Sequence, residues 1–276
     1  MEFGISTFVT DEGIGAARLG QALEERGFES LFVAEHTHIP VRRESPWPGG
    51  AELPMRYYRT LDPIVTLAAA AAVTSRLKVG TGIALVIQRD PILLAKEIAS
   101  LDLVSGGRAI LGVGAGWNRE EMRNHGTDPR TRMALLRERV LAMKEIWTKD
   151  EAEFHGAFVD FDPIFCWPKP IQDPHPPVLI GGAGPTTFDR VVEFGDGWMP
   201  IHGRGTDDLP GQIAELRERA GRRVPVSVFS APPQPDAVAS LAAAGVDRVL
   251  FNLPTAPEPE TLGHLDELTK LIGQSP

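Results

Sequence analysis

Short β-rich apolar runs alternate with helical segments eight times along this chain, and that rhythm narrows the fold more than any other feature. Strands are expected at 3–7, 30–36, 78–85, 109–114, 177–180, 197–201, 226–230 and 248–253. Helices fall between them at about 12–26, 63–75, 91–104, 129–148, 185–194, 207–220, 236–244 and 258–272. Eight strand–helix units in order is the count of a (β/α)8 TIM barrel, an α/β fold. A doubly wound open sheet is the rival, but the first strand lacks a glycine-rich fingerprint and no topological switch shows. The 276 residues suit one barrel domain over 1–276.

Helix starts carry their own punctuation. Asp62-Pro63, Asp90-Pro91 and Asp128-Pro129 each put a capping carboxylate before a proline suited to the first turn. Gly27, Gly106-Gly107 and Gly245 mark helix ends. Two insertions break the rhythm. Residues 37–60, after the second strand, form a long loop with Trp47, Tyr57 and Tyr58. Residues 150–176, between the fourth helix and the fifth strand, hold Phe154, Phe158, Phe161, Phe165 and Trp167. The second reads as a hairpin and lid, and both are expected to shape a pocket at the C-terminal face of the barrel. Only the last few residues read as disordered.

The net charge of −9 argues against nucleic acid or an anionic membrane surface as the main partner. It leaves room for a local basic pocket. Cys166 is the only cysteine, so an internal disulfide is impossible. The opening residues lack a basic segment followed by a long apolar one, and no apolar run reaches about 18 residues. A cytoplasmic protein is the expectation.

The chemistry concentrates at strand ends. The run from Arg108 to Glu121 ends a strand in Gly112, Gly114 and Gly116, with Ala115 between and Trp117 next. Val178-Leu179-Ile180 runs likewise into Gly181-Gly182-Ala183-Gly184-Pro185. Glycines there let a ligand approach the backbone closely, and two such ends suggest one extended, flat ligand across several strand tips. The 181–185 stretch opens a helix, with Pro185 expected as its first residue, and so offers free N–H groups to an anion. A tight turn needing positive φ would explain one or two of its glycines. Arg204 is a candidate cation for the same anion, against the plainer reading of a solvated surface arginine. Thr81, Gly82 and Ile83 sit near the top of the third strand, where glycine marks either a close approach or a β-bulge.

The second strand ends Phe-Val-Ala-Glu-His. Alternation puts Phe32, Ala34 and His36 on one face, and Leu31, Val33 and Glu35 on the other. If the first set faces the barrel axis, His36 reaches the rim, where it could donate to a ring gaining negative charge. Glu35 would point to neighbouring loops. His36 and Glu35 are the catalytic candidates, with a structural histidine as the bland alternative. No metal site is expected, since His36 and His38 have no third ligand in view. Arg108 is expected to brace the barrel bottom. Trp198 suits core and ligand wall equally.

Taken together these motifs resemble the luciferase-like monooxygenase superfamily, in its branch of oxidoreductases dependent on the deazaflavin coenzyme F420. The matching residues are Ala34-Glu35-His36, Asp62-Pro63, Leu77 to Ile83, Asp90-Pro91 through Ser105-Gly106-Gly107-Arg108 to Trp117, Pro168-Lys169-Pro170, Pro176 to Gly182, and Gly195-Asp196-Gly197-Trp198. The resemblance implies a ring bound at the C-terminal face, touched by His36. It implies a cis peptide at Gly82-Ile83 behind the ring, a further contact surface at Thr81 and at Gly114-Ala115-Gly116, and a phosphate cradle at Gly181, Gly182, Ala183 and Gly184. Arg204 matches a lysine position near the phosphate. Two departures matter. Pro40 stands where some members have a catalytic tryptophan. Trp117 stands where the sugar-phosphate dehydrogenase branch has a glutamate, which points away from glucose-6-phosphate. The implied activity is hydride transfer between F420 and a small organic substrate. The alternatives are an FMN-dependent monooxygenase using O2 and a separate reductase, and a non-catalytic flavin-binding homologue. A homodimer is implied as well.

Overall fold

The protein is described here by a computed structural model covering residues 1–50 and 52–272. Eight parallel strands form the frame: β1 (Glu2–Thr7), β2 (Ser30–Val33), β3 (Lys78–Thr81), β5 (Ala109–Gly114), β8 (Val178–Gly181), β9 (Gly197–Met199), β10 (Ser227–Phe229) and β11 (Arg248–Asn252). Their order is β10-β11-β1-β2-β3-β5-β8-β9. Single bridges from Trp198 to Val226 and from Ile201 to Phe229 join β9 back to β10, which closes the ring. The expected (β/α)8 barrel is therefore the fold.

Alternation along the strands sets what each side buries. On β2, Leu31 and Val33 join the large core between strands and helices, while Phe32 joins Ile110, Leu179, Met199 and Leu250 inside the barrel. The same period carries Ala34 and His36 up the inner face. The expected strand over 78–85 is broken: β3 ends at Thr81, the Gly82–Ile83 peptide is cis, and β4 (Ala84–Leu85) resumes beside β5. A Cβ on Gly80 would lie 2.6 Å from the Phe32 ring, so that glycine is required by packing inside the barrel.

The outer helices are α1 (Ala16–Glu25), α3 (Pro63–Ala72), α4 (Pro91–Ser105), α6 (Arg132–Thr148), α7 (Thr187–Phe194), α8 (Leu209–Ala220), α9 (Pro235–Ala243) and α10 (Glu258–Ile272). Two short ones, α2 (Arg56–Arg59) and α5 (Arg119–Asn124), sit in the loops. Asp62 caps α3 by accepting from Ile64 and Val65, and Asp90 caps α4 by accepting from Leu93. Asp128 does not cap a helix. Its carboxylate turns back on the Arg130 N–H, and α6 starts at Arg132. Likewise Pro185 lies in the turn before α7, which begins at Thr187. A local carboxylate–amide bond of this kind competes with the first helical turn. Arg108 braces the bottom as expected, donating to the carbonyls of Ala71, Thr74 and Leu77.

Residues 151–165 do form a hairpin, β6 (Glu151–His155) with β7 (Asp160–Phe165). It is not a lid. The Glu138 carboxylate of α6 accepts the N–H groups of Ala157, Phe158 and Val159, which pins the hairpin tip to the outside of the barrel. Among the described residues, no helix is long and apolar enough to cross a membrane. The expectation of disorder at the last few residues falls outside those described.

Candidate active site

A cavity of about 350 Å³ opens at the C-terminal end of the strands. Its floor includes Gly82, Ile83 and Gly116; its walls include His36, Trp47, Tyr57 and Trp117 from the β2 and β5 loops. Ile201, Arg204, Phe229, Ser230 and Asn252 line the other side. Ser230 is the one non-glycine residue with positive φ among those described, at 53°. Such strain persists only where the surroundings enforce it, and it collects at functional sites.

His36 is held rigidly. Its Nδ1 lies 2.8 Å from Oε2 of Glu121, and both side chains are almost fully buried. With Glu121 ionised, Nδ1 donates, which fixes the tautomer and leaves Nε2 to the cavity. Rings pack around the imidazole: Tyr57 at 5.2 Å and Trp117 at 5.8 Å between centroids. Glu121 comes from α5, which Asn118 caps by accepting from the Glu121 N–H. The spacing Asn118-x-x-Glu121 is a capping-box signature that could have located α5 from the sequence. Here the carboxylate turns to His36 instead of back to the cap.

Glu35 takes a different role from the catalytic one expected of it. Its Oε2 accepts the Leu85 N–H at 2.6 Å and its Oε1 accepts Arg89 Nε at 2.6 Å. Arg89 also pairs with Asp62 at 2.5 Å and Glu97 at 3.1 Å. Burial pushes the Glu35 carboxyl up, against the opposing pull of Arg89 and the Leu85 amide. Arg89, among three carboxylates, overcomes its own burial and stays firmly cationic. Glu35 borders the cavity, yet both of its oxygens are committed to fixing the segment that follows Ile83.

The other expected ligand contacts divide. His36, Gly82, Ile83, Gly116 and Arg204 line the cavity; Thr81, Gly114 and Ala115 do not. Thr81 is fully buried and donates to the Gly112 carbonyl. Gly114 is bare because Ile83 needs the space: a Cβ there would lie 2.1 Å from Ile83 Cδ1. Ala115 is buried beside it. Gly181, Gly182, Ala183 and Gly184 sit outside the cavity lining, the first at the end of β8 and the others in the loop leading to α7. Gly182 has φ of 102°, and a Cβ on Gly182 or Gly184 would meet nothing nearer than 3.9 Å. Among the described residues, the N–H groups of Ala183, Gly184 and Thr186 have no partner. Arg190, which the sequence reading missed, places its guanidinium on the hydroxyls of Thr186 and Thr187 and leaves a buried Nε unpaired. Bare amides, an orphaned guanidinium N–H and open space over two glycines fit a phosphate. Trp198 is core, fully buried, with its indole N–H on the Gly182 carbonyl.

Comparison with known proteins places the chain in a family. The chain matches the family described as luciferase-like monooxygenase over residues 1–266. An uncharacterised protein of Mycobacterium tuberculosis is 42% identical over 97% of both chains. An F420-dependent glucose-6-phosphate dehydrogenase of Amycolatopsis mediterranei is 30% identical over 73% of this chain and 58% of its own length. An FMNH2-dependent dimethylsulfone monooxygenase of Pseudomonas putida is 34% identical over 55% of this chain and 42% of its own. Among solved structures, a monooxygenase of Streptomyces bottropensis superposes with a TM-score of 0.80 at 20% identity, covering 99% of this chain and 98% of its own. The F420-dependent tetrahydromethanopterin reductase of Methanopyrus kandleri gives 0.71 at 18%, with the same coverage. The chain belongs to the luciferase-like monooxygenase family of oxidoreductases.

Proposed function

We propose that the protein is an F420-dependent oxidoreductase acting on a small organic substrate. The observation that carries the proposal is the His36–Glu121 pair. It presents one nitrogen of a rigid, tautomer-defined imidazole to a cavity floored by Gly82 and Ile83. A deazaflavin ring over that floor would face Nε2 of His36, which, with Nδ1 donating to Glu121, accepts a hydrogen bond in the neutral imidazole and donates one only when the imidazole carries a second proton. The amides of Ala183, Gly184 and Thr186 would hold the coenzyme phosphate, with Arg190 beneath and Arg204 at the mouth. When bound in its reduced form, the coenzyme supplies the hydride; the chain contributes orientation, an imidazole nitrogen held in a fixed place and an aromatic enclosure. The greater span of the F420-dependent relative supports this cofactor. The FMNH2-dependent relative supports the second reading, a monooxygenase using O2 and a separate reductase.

The outer faces of α3 and α4 support a homodimer. The segment Pro63–Ala72 contains no charged residue, and Val65 and Val73 stand 70% and 42% exposed. Leu93, Leu103 and Val104 continue the apolar surface on the adjacent α4 at 56%, 50% and 57%. A helix apolar on every face, as α3 is, is normally covered. The lone buried Cys166 suits a cytoplasmic setting.

The deciding experiment is titration of the purified protein with F420 and, separately, with FMN, followed by tryptophan quenching. Tight F420 binding with weak FMN binding is expected. The reverse order would replace the proposal with the FMN reading, and binding of neither would remove both.

A further inference from the structure

Arg56 has no role in the site described so far. It opens α2 in the 37–60 insertion and lines the cavity. Its guanidinium carbon lies 5.5 Å from the Phe8 ring centroid and 5.7 Å from that of Tyr57. Among the described residues it makes no hydrogen bond and no ion pair. Arg59, one turn on, is treated in the opposite way: Asp11 and Glu12 both pair with it. The fold thus neutralises one arginine of α2 and sets the other against the packed Phe8–Tyr57 pair, whose centroids lie 4.6 Å apart and which positions a guanidinium without cancelling its charge.

Barrel topology separates Arg56 from the phosphate cradle. Counting round the ring β1-β2-β3-β5-β8-β9-β10-β11, the loop carrying Arg56 follows β2, and the loop carrying Arg204 follows β9, four strands away on the far side of eight. The bare glycines precede α7, on the β8 side. One phosphate bound there leaves the charge of Arg56 for a second anion. The wall beside Arg56 is a set of edge-on rings, Trp47 to Tyr57 at 5.7 Å and Tyr57 to Trp117 at 6.4 Å. Rings so arranged accept a flat group.

We infer that the substrate is a small planar carboxylic acid, its ring or conjugated carbons against Trp47, Tyr57 and Trp117 and its carboxylate on Arg56. This rests on the proposed function for the phosphate's place, and it deepens that proposal by naming the substrate class. A guanidinium fork matches a carboxylate with two parallel N–H donors, so charge and shape are read together.

The test uses benzoate and benzamide, which share shape and differ in charge, measured by calorimetry with the full-length protein with and without F420 or FMN. Benzoate is expected to bind at least about tenfold more tightly than benzamide, the scale of a hydrogen bond to a charged group. Arg56→Met should erase the preference and Arg56→Lys should keep part of it, with F420 or FMN affinity within about twofold of wild type. Equal binding of the two probes, binding of neither, or a preference that survives Arg56→Met would overturn the inference. So would a loss of cofactor affinity in Arg56→Met as large as the loss for benzoate, because it would give Arg56 to the cofactor. Failure of both cofactors to bind alongside an intact, Arg56-dependent benzoate preference would instead remove the proposed function alone.

Discussion

Replacing Glu35 by glutamine separates a catalytic carboxylate from a structural one. In the wild type, both oxygens of Glu35 are used inside the protein, one by Arg89 Nε and one by the Leu85 N–H, and the residue is 3% exposed. Glutamine has the same shape but one acceptor and two donors. Either Arg89 or Leu85 then faces an N–H instead of an oxygen. Losing a charge-assisted bond at a buried site costs about 1.5–3 kcal/mol, and leaving one donor unpaired adds about 1–3 kcal/mol. Asp62 and Glu97 still hold Arg89 from the more exposed side, which limits the damage. A loss near 3 kcal/mol is expected, read as a lower urea midpoint with unchanged slope. In a chain of this size that is a drop in Tm of roughly 6–12 °C. Turnover per folded molecule should survive at a substantial fraction of wild type below the new transition. An unchanged midpoint together with abolished turnover would refute the assignment and return Glu35 to the catalytic role expected from the sequence.

Three further outcomes follow from the same geometry. His36→Ala should lower kcat by about 10²–10⁴-fold with cofactor affinity nearly kept, and Glu121→Gln should lower it less while shifting the pH profile, since it acts only through His36; unchanged turnover in His36→Ala would remove the mechanism. Glu29 at the barrel bottom, despite the cost of burial, is held down to about 2 by Arg248 at 2.7 Å and Lys78 at 2.8 Å. Its folded value lies below its unfolded one, so it stabilises fully above about pH 4.5, and this contribution is lost as pH falls through 2; Glu29→Gln should cost about 3 kcal/mol at pH 7 and under about 0.5 kcal/mol near pH 2, in urea melts across that range. Leu103→Glu should convert a dimer to a monomer in sedimentation velocity at micromolar concentration, and a monomeric wild type would contradict the α3–α4 interface.

The eightfold alternation of apolar runs and helices determined the barrel, because a strand and the helix after it can bury their apolar faces together only in a few ways. Local chemistry also placed the caps at Asp62 and Asp90, whose carboxylates act within three residues of themselves. Asp128 and Pro185 misled for the same local reason: a turn and a helix start use the same residues, and only the following packing chooses. His36 was legible at the rim because alternation along β2 fixes its face.

The partners were not legible. Glu121 reaches His36 from 85 residues away, and Arg89 reaches Glu35 from 54. The hairpin of 151–165 carries the aromatic residues of a lid, yet the Glu138 carboxylate holds it outside the barrel. Arg56 and Arg59 are three residues apart on one short helix, and the sequence gives no sign of which is neutralised. Side-chain pairing across the closed barrel settles each of these, because a charged group's role depends on what faces it, and closure alone brings those faces together.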